Sequence, residues 1–215
     1  MRRVVVTGLG VVTPLGSELK TFWDNVVAGK SGIAPITKFD ASAFPARIAG
    51  QVTGFTQDTY VDKKEARRMD EYSIYALGAA QMAMNDSGLD LSKQDPERLG
   101  AIVGSGIGGL QVLETQHTIL KEKGPDRCSP FMIPQMISNI AGGLVAIRFN
   151  LKGPNYGVVS ACATATHALG DAMKIIQRGD ADVMMAGGAE ASVCPMGLAG
   201  FCALRALSTR NDDPQ

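Results

Sequence analysis

The chain has 215 residues, enough for a sizeable buried core and for one or two domains. Its 21 basic residues balance its 21 acidic ones, so there is no global positive field to attract nucleic acid or an anionic membrane. Four cysteines without C-x-x-C spacing and only two histidines argue against a zinc site or a disulfide framework, and such scattered thiols suit a reducing cytoplasm.

Met1-Arg2-Arg3 before the apolar run Val4 to Val12 has the outline of a signal peptide, but Gly8 and Gly10 break the run and no A-x-A site follows. A buried first strand over Val4–Thr7 is expected instead. A Gly/Pro loop then leads to a helix capped by Ser17, with Phe22, Trp23, Val26 and Val27 as apolar positions and a stop at Gly29. Ala28-Gly29-Lys30-Ser31 has the tail of a P-loop, yet Asp24 stands where its first glycine belongs and a helix precedes it, so that reading is discarded. Residues 30–60 read as a loop with short strands. Lys63 to Arg68 is a basic run opening a helix, and the spacing of Met69, Tyr72, Ala76, Ala79 and Ala83 predicts a helix to Asn85, ended by Gly88. Leu99–Val103 suits a parallel strand, followed by a glycine-rich turn and a helix over Leu110–Lys121. After a loop at Gly124–Pro130, Pro134–Phe149 reads as one buried helix. It carries Gln135, Asn139 and Arg148 and is shorter than the roughly 17 to 25 residues a membrane span needs. A strand at Val158-Val159, a helix from Ala163 ending at Gly179, and a strand over Asp182–Ala186 complete the series. Strands alternating with helices imply a layered α/β fold with a mostly parallel sheet, undivided by any linker or repeat.

The segment most suggestive of chemistry is Val158-Val159-Ser160-Ala161-Cys162-Ala163-Thr164-Ala165, a strand turning abruptly into a helix through one cysteine. Orphan N–H groups and the positive dipole end at a helix N-terminus favour an anion, and with it a reactive thiolate. Small neighbours leave room for a tight turn and a substrate, the logic of a nucleophile elbow rebuilt around sulfur. The plainer reading is a buried small hydrophobe, the usual fate of a free cysteine. His167 lies five residues further on, about 140° round the helix from Cys162. It is read as structural, and so is His117. Asp180, Asp182 and Glu190 are read as ties between turns, strands and loops. Gly104-Ser105-Gly106-Ile107-Gly108-Gly109 satisfies G-x-G-x-x-G between a strand and a helix, the mark of a nicotinamide-dependent oxidoreductase. That reading needs a second strand ending in an acid about 20 residues on. The window Lys121 to Arg127 has no β-branched run before its acids.

Val4-Val5-Val6-Thr7-Gly8-Leu9-Gly10, the Gly104–Gly109 loop, Gly179 to Glu190, Ala206-Leu207-Ser208-Thr209-Arg210-Asn211-Asp212-Asp213-Pro214 and the surroundings of Cys162 together resemble β-ketoacyl-acyl-carrier-protein synthases of the elongating type II. The resemblance runs along the whole chain. It implies a thiolase-like layered fold, Cys162 as the acyl-carrying nucleophile, a decarboxylative Claisen condensation with malonyl-carrier protein, and no metal or organic cofactor. It further implies an acyl channel lined by Ile107, Met132, Ala161, Gly197 and Phe201, with Met132 reaching in from the other subunit of a homodimer. Met132 departs from the bulkier aromatic usual there, and a flexible thioether suits a tolerant pocket. Carrier docking is implied for Lys64, Arg67, Arg68 and Arg205. Cations at a helix N-terminus oppose its dipole, so a reason outside the fold fits the basic run, and acyl carrier proteins are acidic. A non-catalytic partner subunit of the same fold would lack the cysteine. The resemblance also implies that residues 1–215 are the N-terminal part of a subunit about twice as long, whose absent C-terminal half carries two catalytic histidines.

Overall fold

A computed structural model of the protein describes residues 2–214. The first helix, α1 (Leu19–Val27), starts at Glu18 without a side-chain cap, one residue after the serine expected to supply it. The Ser17 hydroxyl is buried without a hydrogen-bond partner among the described residues. The apolar face of α1 is exposed, Trp23 at 61 % and Val27 at 70 %. A short antiparallel pair follows, β1 (Ile33–Pro35) and β2 (Ile48–Gly50). Next come a four-residue helix α2 (Lys63–Ala66) and the long α3 (Glu71–Ser87). Asp62 caps α2 by accepting from the Lys64 and Glu65 amides, and those bonds hold its carboxyl below the usual range. Asp70 opens α3, and Gly88 closes it in the left-handed conformation at φ 62°, the role expected of a terminal glycine.

The centre of the molecule is the parallel pair β3 (Leu99–Gly104) and β4 (Val183–Gly188), in register from Leu99 opposite Val183 to Gly104 opposite Gly188. Every residue of β3 is buried. Alternation along it divides the core between its two faces. Ala101 and Val103 join Tyr72 and Leu77 of α3 and Val145 and Phe149 of α6 (Ile140–Phe149). Ile102 points the other way, to Ala168 and Ile175 of α7 (Thr164–Arg178). The chain is thus layered helix on sheet on helix, as expected of an α/β fold. Between these elements run α4 (Leu110–Lys123) and α5 (Met132–Met136), and α8 (Pro195–Ala203) follows β4. Arg98, just before β3, grips the carboxylate of Asp182 with two nitrogens and donates to the carbonyls of Gly179 and Asp180. It thereby ties the start of the sheet to the end of α7. No helix among the described residues is long and apolar enough to cross a membrane.

Three expected elements differ. Val4–Thr7 forms no strand; Val5 and Val6 are exposed, and neither central strand pairs with the segment. The glycines that follow it serve close approach to α3 instead, because a Cβ at Gly8 or Gly10 would meet the Ala83 or Ala79 carbonyl at 2.2 or 1.9 Å. Val158-Val159 lies beside β3, but among the described residues the ladder contact there is a single bridge from Asn155 to Ala101. The helix expected over Pro134–Phe149 is broken into α5 and α6. The break frees the Met136 carbonyl to accept from the Gly109 amide and that of Ile137 to accept from the Tyr72 hydroxyl at 2.6 Å. Tertiary partners replace the helical ones there.

Candidate active site

Cys162 sits in a single 3₁₀ turn, Ala161–Ala163, that runs directly into α7. The turn is made by Ala161, a residue with a Cβ held at φ 50°. That region costs a non-glycine residue about 1 kcal/mol or more. Thr164, buried at the first position of α7, braces it: its hydroxyl accepts from the Ser160 amide and donates to the Ala161 carbonyl. Cys162 itself is exposed. The expected placement at a helix N-terminus thus holds in a tighter form, with one 3₁₀ turn interposed.

The glycine-rich loop after β3 closes over this turn. A Cβ on Gly104 would lie 2.2 Å from the Val158 carbonyl and 2.5 Å from the Thr164 methyl, and one on Gly106 would lie 3.4 Å from the Ala161 Cα. Gly188, at the end of β4, is similarly close to Ala165. The loop is held by Glu190, whose carboxylate accepts from the amides of Gly106 (2.9 Å) and Ile107 (3.2 Å) and from the hydroxyls of Ser105 and Ser192. The amides a pyrophosphate would need are therefore already taken by a fixed carboxylate, which removes the physical basis of the dinucleotide reading. The expectation that Glu190 and Asp182 tie loops and turns holds for both.

The five residues expected along an acyl path are distributed as follows. Ala161 adjoins the nucleophile. Ile107 lines a cavity of 440 Å³ with Leu110, Leu113, Met136 and Ile137. Gly197 and Phe201 line a second cavity of 580 Å³, which Lys38, Tyr75 and Glu190 also border. Met132, at the start of α5, is half-buried and borders neither cavity. Glu190 is the link between the two, since it borders one cavity and holds the Ile107 amide at the other. Beside the larger cavity Glu71 accepts from the Tyr75 hydroxyl and pairs with Lys38, and burial pushes the Tyr75 hydroxyl pKa upward.

Lys64, Arg67, Arg68 and Arg205 are all exposed, and among the described residues none is in an ion pair. The Arg68 guanidinium lies 4.7 Å over the Phe131 ring. His167 makes no hydrogen bond to Cys162; its Nδ1 meets the Ser160 hydroxyl at 2.6 Å. Among the described residues no group of three His, Cys, Asp or Glu side chains is arranged to hold a metal ion. Sequence reasoning passed over Thr164 and Ser160. The available signal was a hydroxyl residue two positions either side of the cysteine, since such side chains bond nearby backbone where a helix begins.

Residues 1–215 match the family described as beta-ketoacyl synthase, N-terminal domain. The chain belongs to the β-ketoacyl synthase family. It is 50% identical over 213 residues to the 3-oxoacyl-[acyl-carrier-protein] synthase 2 of Synechocystis sp., covering 99% of this chain and 51% of that protein. The protein of the same name from Coxiella burnetii is 47% identical over 214 residues, covering 100% and 52%. The chain spans about half the length of these curated relatives. Among solved structures, a beta-ketoacyl synthase from Burkholderia phymatum superposes with a TM-score of 0.87 at 32% identity, covering 100% of this chain and 53% of that one. The fold is the thiolase-like α/β fold of the ketosynthases.

Proposed function

We propose that this chain carries the nucleophilic half of a condensing acyltransferase, a β-ketoacyl-acyl-carrier-protein synthase of type II, acting in fatty acid elongation. The observation that carries the reading is the exposed Cys162 on a strained turn at the entrance to α7, beneath a loop held by Glu190. The Cys162 thiolate attacks the carbonyl carbon of an acyl-carrier thioester, and backbone amides, that of Cys162 among them, take up the oxyanion. Collapse of the tetrahedral intermediate expels the carrier thiolate, which takes up a proton, and leaves the acyl group on the Cys162 sulfur. One difficult step thereby becomes two easier ones. Malonyl-carrier then loses carbon dioxide, the resulting carbanion attacks the acyl-enzyme carbonyl, and the Cys162 thiolate departs as the chain grows by two carbons.

Ile107, Met132, Ala161, Gly197 and Phe201 form the acyl path in this reading, and Lys64, Arg67, Arg68 and Arg205 meet an acidic acyl carrier protein. The clustering of exposed Lys64, Arg67 and Arg68 within five residues supports the second assignment. The name of the curated relatives, 3-oxoacyl-[acyl-carrier-protein] synthase 2, supports the substrate class. We place the protein in the cytoplasm as a homodimer; the exposed apolar Val159, Leu169 and Met173 around α7 support the dimer. The condensing step draws on two histidines from a second half of the subunit. A labelled acyl-carrier thioester incubated with the full-length protein should leave its acyl group on the Cys162 peptide. Cys162→Ser, a small change in volume, should abolish the transfer. Label retained by that variant, or found on another residue, would overturn the reading.

A further inference from the structure

Ser160, two residues ahead of Cys162, is held at its amide and its hydroxyl by one face of α7, while its carbonyl accepts from the Ala163 amide at 3.1 Å. Its amide donates to the Thr164 hydroxyl at 2.9 Å, and its own hydroxyl meets His167 Nδ1 at 2.6 Å. Thr164 and His167 are three residues apart and so stand on one side of the helix. Between the gripped serine and the nucleophile lies Ala161 in its left-handed conformation. Such a conformation persists only where its surroundings over-determine it. Thr164 is buried within the turn and is constrained by packing as well as by its two bonds. His167 is exposed, with solvent available to satisfy both ring nitrogens. Its ordered contact with Ser160 is therefore not needed to solvate the imidazole; its effect falls on the serine.

We propose that His167 is a positioning residue: through Nδ1 it fixes Ser160, and through Ser160 the Ala161 peptide that aims the Cys162 sulfur at an incoming thioester. The inference rests on the reading of Cys162 as the nucleophile. It assigns no proton transfer to the imidazole, because either tautomer makes the contact, Nδ1 accepting the serine O–H or Nδ1–H donating to its oxygen. The role is specific to one ring position. An asparagine amide reaches the place of Nδ1, whereas a glutamine amide extends toward that of Nε2.

The test measures the second-order rate of iodoacetamide alkylation at Cys162 by peptide mapping in the full-length protein. The variants are His167→Ala, His167→Asn, His167→Gln, Ser160→Ala and the double alanine variant. His167→Ala and Ser160→Ala should each slow Cys162 by about tenfold, as expected for a reacting atom displaced by a fraction of an ångström. The double variant should be no slower than either, since both remove one contact. Asparagine should restore the rate to within about twofold, and glutamine should not. Where the alanine variant also loses stability, the contrast between asparagine and glutamine still reads the Nδ1 contact. Unchanged rates in all variants, or equal loss in all three His167 variants, would overturn the proposal. A wild-type Cys162 no faster than Cys128 would instead remove the nucleophile itself, and the proposal with it.

Discussion

Cys162 and Cys194 occupy opposite surroundings within one chain. Cys162 is exposed on its turn, whereas Cys194 is 2 % exposed and burial pushes its thiol pKa up. A thiol-directed electrophile at neutral pH should therefore mark Cys162 first and Cys194 last, with the half-buried Cys128 and Cys202 between them. Mass mapping of a time course reads the order, and equal labelling of all four would contradict it. Asp182 supplies a pH signature. Hydrogen bonding from Arg98, its charge, and a further contact from Arg2 hold the Asp182 carboxyl below its ordinary value. A carboxyl lowered in the folded state stabilises it above the unfolded value of about 3.9 and loses that contribution as pH falls through the folded value. Wild type should therefore melt above Asp182→Asn by a constant margin at neutral pH, and the two should begin to converge below about pH 4 and meet only below the folded value. A margin that persists in acid would mean that Asp182 acts through packing rather than charge. Asp70 has the opposite sign: desolvation raises its pKa, so its ionised form weighs against folding as pH rises, offset by the Tyr72 and Val112 amides it caps.

At the scale of elements, the junction of β3, the 158–160 segment and α7 is set by the absence of a single carbon. Gly104→Ala would drive a methyl group into the Val158 carbonyl and the Thr164 side chain. We expect a loss of about 1–3 kcal/mol from this overpacking, read from urea midpoints, together with slower alkylation of Cys162. A fully stable Gly104→Ala protein with a fast cysteine would show that the segment can move aside. The same junction explains which elements were readable. The ends of α3 and α7 are announced by Gly88 and Gly179, both with positive φ, because a left-handed terminus favours a residue without Cβ. β3 was legible because a strand covered on both faces is a short apolar run bounded by glycine. The division of α5 from α6 was not, since Pro134–Phe149 keeps a helical pattern throughout. Its interruption is made by Tyr72 and Gly109, residues far from it in sequence.

At the scale of the whole molecule, net charge is zero, while Lys64, Arg67, Arg68 and Arg205 are exposed and, among the described residues, in no ion pair. If they steer an acidic carrier, reversing Lys64 and Arg67 to Glu should lower kcat/KM for a carrier-bound thioester by about tenfold or more at low ionic strength. The gap should narrow with added salt, as screening predicts. Turnover of a small thioester without the carrier should be unaffected, and an equal loss with both substrates would point to damage within the fold. Both variants lie outside the Cys162 turn, so the comparison isolates encounter from chemistry. Some of this molecule is determined by local chemistry alone. A β-branched segment, a run of small residues around Cys162 and an amphipathic helix ending in Gly179 specify where the cysteine stands, because each depends on neighbours within a few positions. Other features depend on residues that only folding brings together. Glu190 grips the Gly106 amide from 84 residues away, which excludes a phosphate from that loop. Val4–Thr7 has the composition of a strand but pairs with no strand among the described residues, and a strand exists only as part of a ladder. His167 faces away from Cys162 by helical arithmetic, yet it reaches the serine that carries the turn. Periodicity reports which face of a helix a residue occupies; what that face meets is decided by tertiary packing.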